Sequence, residues 1–368
     1  ADSLGPLPRT AQGGYIRQPA LHGRKLAFVS EGDIWVAELP SDLDISTLIP
    51  SDNAGPGEVE KGKSTSEDVE VDVADNDDEA SDDGVPAFLS HLPDESSVST
   101  STPPIMCCRL TLSGGCSHPR YSPNGQRLAY SSSSITDDPT SEASEVFVAD
   151  SRGCGGAPKQ LTRLGEKSDV VGWTQDGTHI LFRSSAEQPM AHMTQLWTVA
   201  IDGASRPYKL GVGTAHHLVP LPDGSYVLGR HTSDPVHNQF KGYRGGCTGH
   251  LWHGKRGGAF ERLGFPPEWN IGEPFEFGGR LYFTSDHGLE GVSNLYSIPT
   301  PGNTASPPLP AATPEQPWPL AGLITRHTSH NVLGIREVSV DASGSGVAAY
   351  HIGGQLRLLQ LHTSTTAT

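Results

Sequence analysis

Pro119-Arg-Tyr-Ser-Pro-Asn-Gly125, Arg127-Leu-Ala-Tyr130, Glu145-Val-Phe-Val148 and Lys159-Gln-Leu-Thr162 decide the fold. These are four short segments with turns or loops between them. Asn124-Gly125 suits a two-residue hairpin turn, which needs positive φ. The alternation of apolar and other residues predicts strands with one buried face each. A single such unit cannot bury that face alone.

The unit recurs five more times. The first copy is Gln18–Gly23, Lys25–Val29, Asp33–Val36 and, after an interruption, Arg109–Leu112. The third is Val171–Gly177, His179–Phe182, Gln195–Val199 and Pro207–Leu210. The fourth is His217–Gly224, Tyr226–Gly229, His250–Trp252 and Phe260–Leu263. The fifth is Pro274–Gly279, Arg280–Phe283, Asn294–Ile298 and Leu323–Arg326. The sixth, Glu337–Gly344, Val347–Tyr350 and Gln355–Leu359, has no visible fourth strand before Thr368. Units that cover one another's faces stack into a ring. The expected fold is all-β, a six-bladed β-propeller over residues 14–362 with an incomplete last blade. The competing arrangement is a β-sandwich of irregular strands. The 43 Gly and 30 Pro fit a chain of many tight turns.

Two stretches interrupt the pattern. Residues 41–104 hold 17 Asp and Glu against Lys61 and Lys63, which leaves −15 of the formal −16 charge there. That composition predicts a disordered acidic insertion in the first blade. Residues 299–319 contain eight prolines and read as an extended loop in the fifth. The remaining chain is nearly neutral and has no basic stripe, so nucleic-acid binding is not expected. No stretch approaches the roughly 20 apolar residues of a membrane helix. Five cysteines without CxxC spacing argue against a disulfide framework or a zinc knuckle. A cytoplasmic location is the expectation, or an organelle if a transit peptide preceded Ala1, which is not a starting Met.

No nucleophile elbow, HExxH, Walker A or dinucleotide motif is present, so neither catalytic residues nor a cofactor are expected in this chain. His216-His217 is the one adjacent histidine pair, and consecutive strand residues face opposite sides, which disfavours a metal site. Two sets of residues are candidates for binding. Lys241, Tyr243 and Arg244 lie among glycines at 242, 245, 246 and 249, where a loop brings two cations toward an anionic peptide end or a partner domain. The same composition also suits a plain blade connection. Arg120, His216, His217, Glu273, Arg336 and Glu337 fall on first strands and are expected to line the central channel.

The repeat resembles TolB-like and prolyl-oligopeptidase-type propellers and lacks the Gly-His to Trp-Asp pair of WD40 repeats. Pro19-Ala-Leu-His-Gly-Arg-Lys-Leu-Ala-Phe-Val-Ser-Glu-Gly-Asp-Ile-Trp-Val36 and Phe240-Lys-Gly-Tyr-Arg-Gly-Gly-Cys-Thr-Gly-His-Leu-Trp252 more closely resemble the tricorn peptidase family. That resemblance implies the N-terminal propeller of a serine peptidase that cleaves short peptides downstream of the proteasome. It also implies a seven-bladed propeller, a PDZ-like domain and a catalytic region beyond this chain, and assembly as a large homo-oligomer. The family carries an Arg-Arg pair before its third blade that anchors a peptide carboxylate. The matching stretch here, Arg163-Leu-Gly-Glu-Lys-Ser-Asp169, lacks it. The alternative role is a stand-alone TolB-like interaction propeller. A glycoside- or ester-cleaving propeller would need paired carboxylates in one pocket, which sequence does not place. A bare edge on the sixth blade predicts aggregation of the isolated chain.

Overall fold

A computed structural model describes residues 15–40, 107–133, 143–152, 157–232, 242–288, 291–302, 309 and 319–361. The acidic insertion expected over 41–104 and most of the Pro-rich loop lie outside the described residues.

The described chain folds into six antiparallel sheets in sequence order, five of four strands and a last one of three. Blade 1 is β1 (Arg17–His22), β2 (Lys25–Ser30), β3 (Asp33–Glu38) and β4 (Cys107–Arg109). Blade 2 is β5 (Cys116–Tyr121), β6 (Arg127–Ser132), β7 (Glu145–Asp150) and β8 (Lys159–Gln160). Blade 3 is β9 (Ser168–Trp173), β10 (His179–Ser184), β11 (Gln195–Ala200) and β12 (Tyr208–Thr214). Blade 4 is β13 (His217–Pro220), β14 (Tyr226–Arg230), β15 (His250–Gly254) and β16 (Phe260–Arg262). Blade 5 is β17 (Ile271–Phe277), β18 (Arg280–Ser285), β19 (Asn294–Pro299) and β20 (Thr325–Arg326), the last preceded by a 3-10 turn over Pro319–Leu323. Blade 6 is β21 (Arg336–Val340), β22 (Val347–Ile352) and β23 (Gln355–Gln360).

The expected hairpin at Asn124-Gly125 forms: Gly125 has φ 65°, and the Asn124 side chain accepts the Gln126 N–H at 3.1 Å. The outer strands deviate most from expectation. β4 lies at Cys107–Arg109 rather than 109–112, and β20 keeps only two residues. Short edge strands have few ladder bonds and little buried surface to fix their ends.

A second difference concerns burial. Alternation predicted one buried face per strand, yet Leu281, Tyr282 and Phe283 on β18 are all fully buried. In a ring each sheet is sandwiched between neighbours, so both faces are covered. Leu281 and Phe283 pack toward blade 4, with Val219, Val227 and Leu251. Tyr282 packs toward blade 6, with Ile335, Val338 and Tyr350. The same division recurs on β2, where Ala27 and Val29 face blade 2 while Leu26 and Phe28 face blade 6. Each of the six seams thus has its own apolar cluster. The ring closes between blades 6 and 1 by this packing and by cross-seam hydrogen bonds, such as Ala342 N to Leu21 O at 3.0 Å.

Strand direction assigns every loop to one of two rims. The turns inside β1–β2-type hairpins and the loops from third to fourth strand share one rim. Both long insertions leave from that rim, after β3 and after β19. The second-to-third-strand loops and the blade-to-blade links share the other.

Candidate functional site

The first strand of each blade is the inner edge of its sheet, so its outward N–H and C=O groups have no ladder partner. Four of these strands carry a bulge at the same place. Gln18, His118, Glu273 and Glu337 have φ of 52°, 53°, 44° and 56°, and the strand register slips at each. Non-glycine residues in this left-handed region cost about 1–2 kcal/mol each. Proline follows in three cases, at Pro19, Pro119 and Pro274. Proline donates no hydrogen bond, so it is tolerated on an edge.

The bulges offset their cost by bonding from blade to blade. Glu273 accepts the main-chain N–H groups of Glu337 and Val338 at 2.7 and 2.8 Å. Glu337 accepts the Gln18 N–H at 2.8 Å. Gln18 Oε1 accepts the His118 N–H at 2.8 Å. His118 Nδ1 then lies 3.5 Å from Asp169 of blade 3. A one-way belt therefore runs from blade 5 through 6, 1 and 2 to 3. Its charge-assisted links, at roughly 1.5–3 kcal/mol each, outweigh the backbone strain.

The belt borders a funnel of about 1100 Å³ that also exposes Arg120, Lys167, Arg183 and His217. The mouth opens on the rim of the second-to-third-strand loops and blade-to-blade links, where Gly115, Ser133, Asn270, Ser293 and Leu333 surround it. Arg183 grips Asp169 through Nε and Nη2 at 3.1 and 3.0 Å. Burial raises the Asp169 carboxyl, but His118 and Arg183 hold it well below the usual range. Burial lowers His118 to about 4 despite the attraction of Asp169, so the ring is neutral at pH 7. Burial, and then the charge of Arg183, push His217 far down as well. Its Nδ1 meets Thr232 Oγ1 at 2.8 Å. Glu273 is raised by burial and by the neighbouring Glu337 charge. Glu337 is pushed up by burial, yet its bond to buried His351, 3.0 Å away, leaves it below the ordinary value.

The funnel brings together Arg120, His217, Glu273, Arg336 and Glu337 of the expected lining. His216 is 2% exposed and points away from it. Arg336 is exposed at the mouth. Of the glycine-rich loop, Lys241 lies outside the described residues. Arg244 is engaged: Nη1 donates to both Asp286 carboxylate oxygens at 3.0 and 2.9 Å, and Nη2 to the Asp286 carbonyl at 3.1 Å. The Tyr243 hydroxyl accepts the Cys247 N–H at 3.4 Å. A Cβ on Gly249 would sit 1.8 Å from Ile271 O, and the two main chains bond there at 3.0 Å. The loop ties blade 4 to blade 5.

Gln18, His118, Lys167, Asp169 and Arg183 were not among the expected site residues. A recurrent polar residue before proline at the head of a first strand is the sequence signal for the belt. Ser117, His118 and Asp169 look like a nucleophile relay, but Ser117 Oγ and Asp169 both address Nδ1, at 3.1 and 3.5 Å. Nε2 faces the Gln18 amide at 3.4 Å. A base must take the serine proton on one nitrogen and be oriented through the other. Among the described residues, no group of three His, Cys, Asp or Glu side chains could hold a metal ion.

Residues 106–365 match the family described as the tricorn protease N-terminal beta propeller domain. The chain belongs to that family. It is 30% identical over 190 residues to the tricorn protease of Thermoplasma acidophilum, covering 50% of this chain and 16% of that protein. It is 38% identical over 188 residues to tricorn protease homolog 1 of Streptomyces coelicolor, covering 49% and 16%. The solved structure of the tricorn protease superposes with a TM-score of 0.62 at 20% identity, over 94% of this chain and 25% of that one. The structural match carries the fold alone. The glycine-rich segment behind the tricorn resemblance is, in this tricorn-family propeller, the tie between blades 4 and 5.

Proposed function

We propose that this propeller is the non-catalytic part of a tricorn-like serine peptidase that degrades short peptides, with the funnel serving as a peptide passage, gate or docking site. The observation that carries this reading is a funnel of about 1100 Å³, with charged side chains in its wall, on the axis of a tricorn-family propeller. Its walls offer charged side chains from several blades to a peptide's charged groups. Tyr15, Val332 and Leu333 are exposed at the mouth and give a neighbouring domain of the same peptidase an apolar lip to rest on. Homo-oligomeric assembly and a cytoplasmic location belong to the same reading.

The test is the gene beyond Thr368 together with an assay. A second propeller, a PDZ-like domain and a serine peptidase region should follow. The full-length protein should hydrolyse short peptides while this chain alone leaves them intact. A stop codon after Thr368, or turnover by this chain alone, defeats the reading. With a stop codon there, the same lip makes the propeller a stand-alone interaction module, and a partner captured by this chain should be lost on replacing Leu333 with Asp.

A further inference from the structure

We propose that the funnel holds a zwitterion, a dipeptide with both ends free, its carboxylate on Arg120 of blade 2 and its ammonium on the Glu273–Glu337 side of blades 5 and 6. This rests on reading the funnel as a peptide passage and names which peptide ends it recognises.

The funnel wall is electrically divided. On the side of blades 2 and 3 stand Arg120, Lys167 and the Arg183–Asp169 pair. On the side of blades 5 and 6 stand Glu273 and Glu337. Arg17 and Arg336 are exposed at the mouth rather than set into the wall. Arg120 donates from Nη1 to its neighbour Pro119 O at 2.8 Å. Among the described residues no carboxylate reaches its guanidinium within 4.0 Å. A guanidinium has five N–H donors in a fork matched to a carboxylate, so most of this fork faces the cavity.

On the opposite wall the Glu337 carboxylate has the His351 ring 3.0 Å away, which leaves Glu273 as the carboxylate without such a partner. Both oxygens of Glu273 accept main-chain N–H groups, but no cation among the described residues lies within ion-pair distance of it. Burial and the charge of Glu337 accordingly raise its pKa. Burial lowers Arg120, and the charges of Glu273 and Glu337 work against that.

A bare anion would satisfy Arg120 and meet two carboxylates of like charge. A bare cation would satisfy the glutamates and meet the guanidinium. A ligand with one end of each sign satisfies both walls. Opposed charges on two walls of one cavity favour that pattern over either ion alone.

The experiment is calorimetric or NMR titration of the chain with L-alanyl-L-alanine, its N-acetyl form and its C-terminal amide. The free dipeptide should bind, and each capped form at least tenfold more weakly. Arg120→Met should weaken the free dipeptide to the level of the amide while leaving the amide unchanged. Glu273→Gln should weaken it to the level of the acetylated form while leaving that form unchanged. Arg120→Lys keeps the charge and should bind between wild type and Arg120→Met. Because the capped ligands report on the unaltered chain, the test does not depend on the variants folding. Equal binding of free and capped dipeptides, or no binding of the free dipeptide, overturns the zwitterion site. If the full-length protein still hydrolyses peptides after that result, the proposed function stands without the site. If the site binds as described in a protein with no peptidase activity, the site stands without that function.

Discussion

The glycine-rich loop around Tyr243 and Arg244 and the bulged inner strands around Gln18, His118, Glu273 and Glu337 teach opposite lessons. The loop is conspicuous in sequence, with two cations among four glycines. In the structure its arginine is spent on Asp286 and its last glycine is pressed against Ile271. The bulges are inconspicuous, one polar residue per strand. Yet they bond one to the next from blade 5 through blade 2 and line the cavity. Crowded glycine signals where backbones must approach closely. A surface that faces a ligand is assembled from single residues on separate strands.

The largest expected effect lies on the loop side. Gly249→Ala places a Cβ 1.8 Å from Ile271 O, so a backbone must shift. We expect a loss of about 3 kcal/mol or more in urea unfolding. A loss under 1 kcal/mol would mean that the tie between blades 4 and 5 is slack.

A middle-sized effect spans both regions. Burial is the leading cause that holds His118 in the belt, and His250 and His287 beside the loop, at about 4 against an ordinary 6.5. The unfolded chain therefore binds more protons between those limits, and stability falls as pH drops from 6.5 to 4. The slope should total a few kcal/mol, on the order of 1 per ring after allowance for partial exposure. His118→Asn and His287→Asn should each flatten the curve of melting temperature against pH. A flat wild-type curve would show that these rings are solvated.

The smallest effect tests the belt alone. At an ordinary strand position alanine is more stable than glycine. At Gln18, with φ 52°, alanine keeps the strain and loses the bond to His118. Gln18→Gly should therefore be more stable than Gln18→Ala by about 1 kcal/mol. The ordinary order would remove the bulge from the account.

Legibility followed the range of the physics. The inner three strands of each blade were readable because apolar alternation and turn residues act within a few positions. The outer strands shifted because short edges are weakly determined. Burial of both faces of β18 was missed because alternation reports one sheet, whereas a ring covers each sheet from two sides. Of the expected lining, His216 alone turned away, since the strand phase at His216-His217 was set by pairing with β14 rather than by residue type.

The sequence by itself determined six sheet-forming units, the hairpins at Asn124-Gly125 and its equivalents, and membership of a propeller family. These follow from interactions between near neighbours along the chain. Only the tertiary structure decided which polar residues meet. The Gln18 N–H and the Glu337 carboxylate are 319 positions apart and bond at 2.8 Å because ring closure brings blade 6 against blade 1. Arg120 faces Glu273 and Glu337 across the funnel for the same reason: their separation is set by six packed seams, and no spacing within any one strand encodes it.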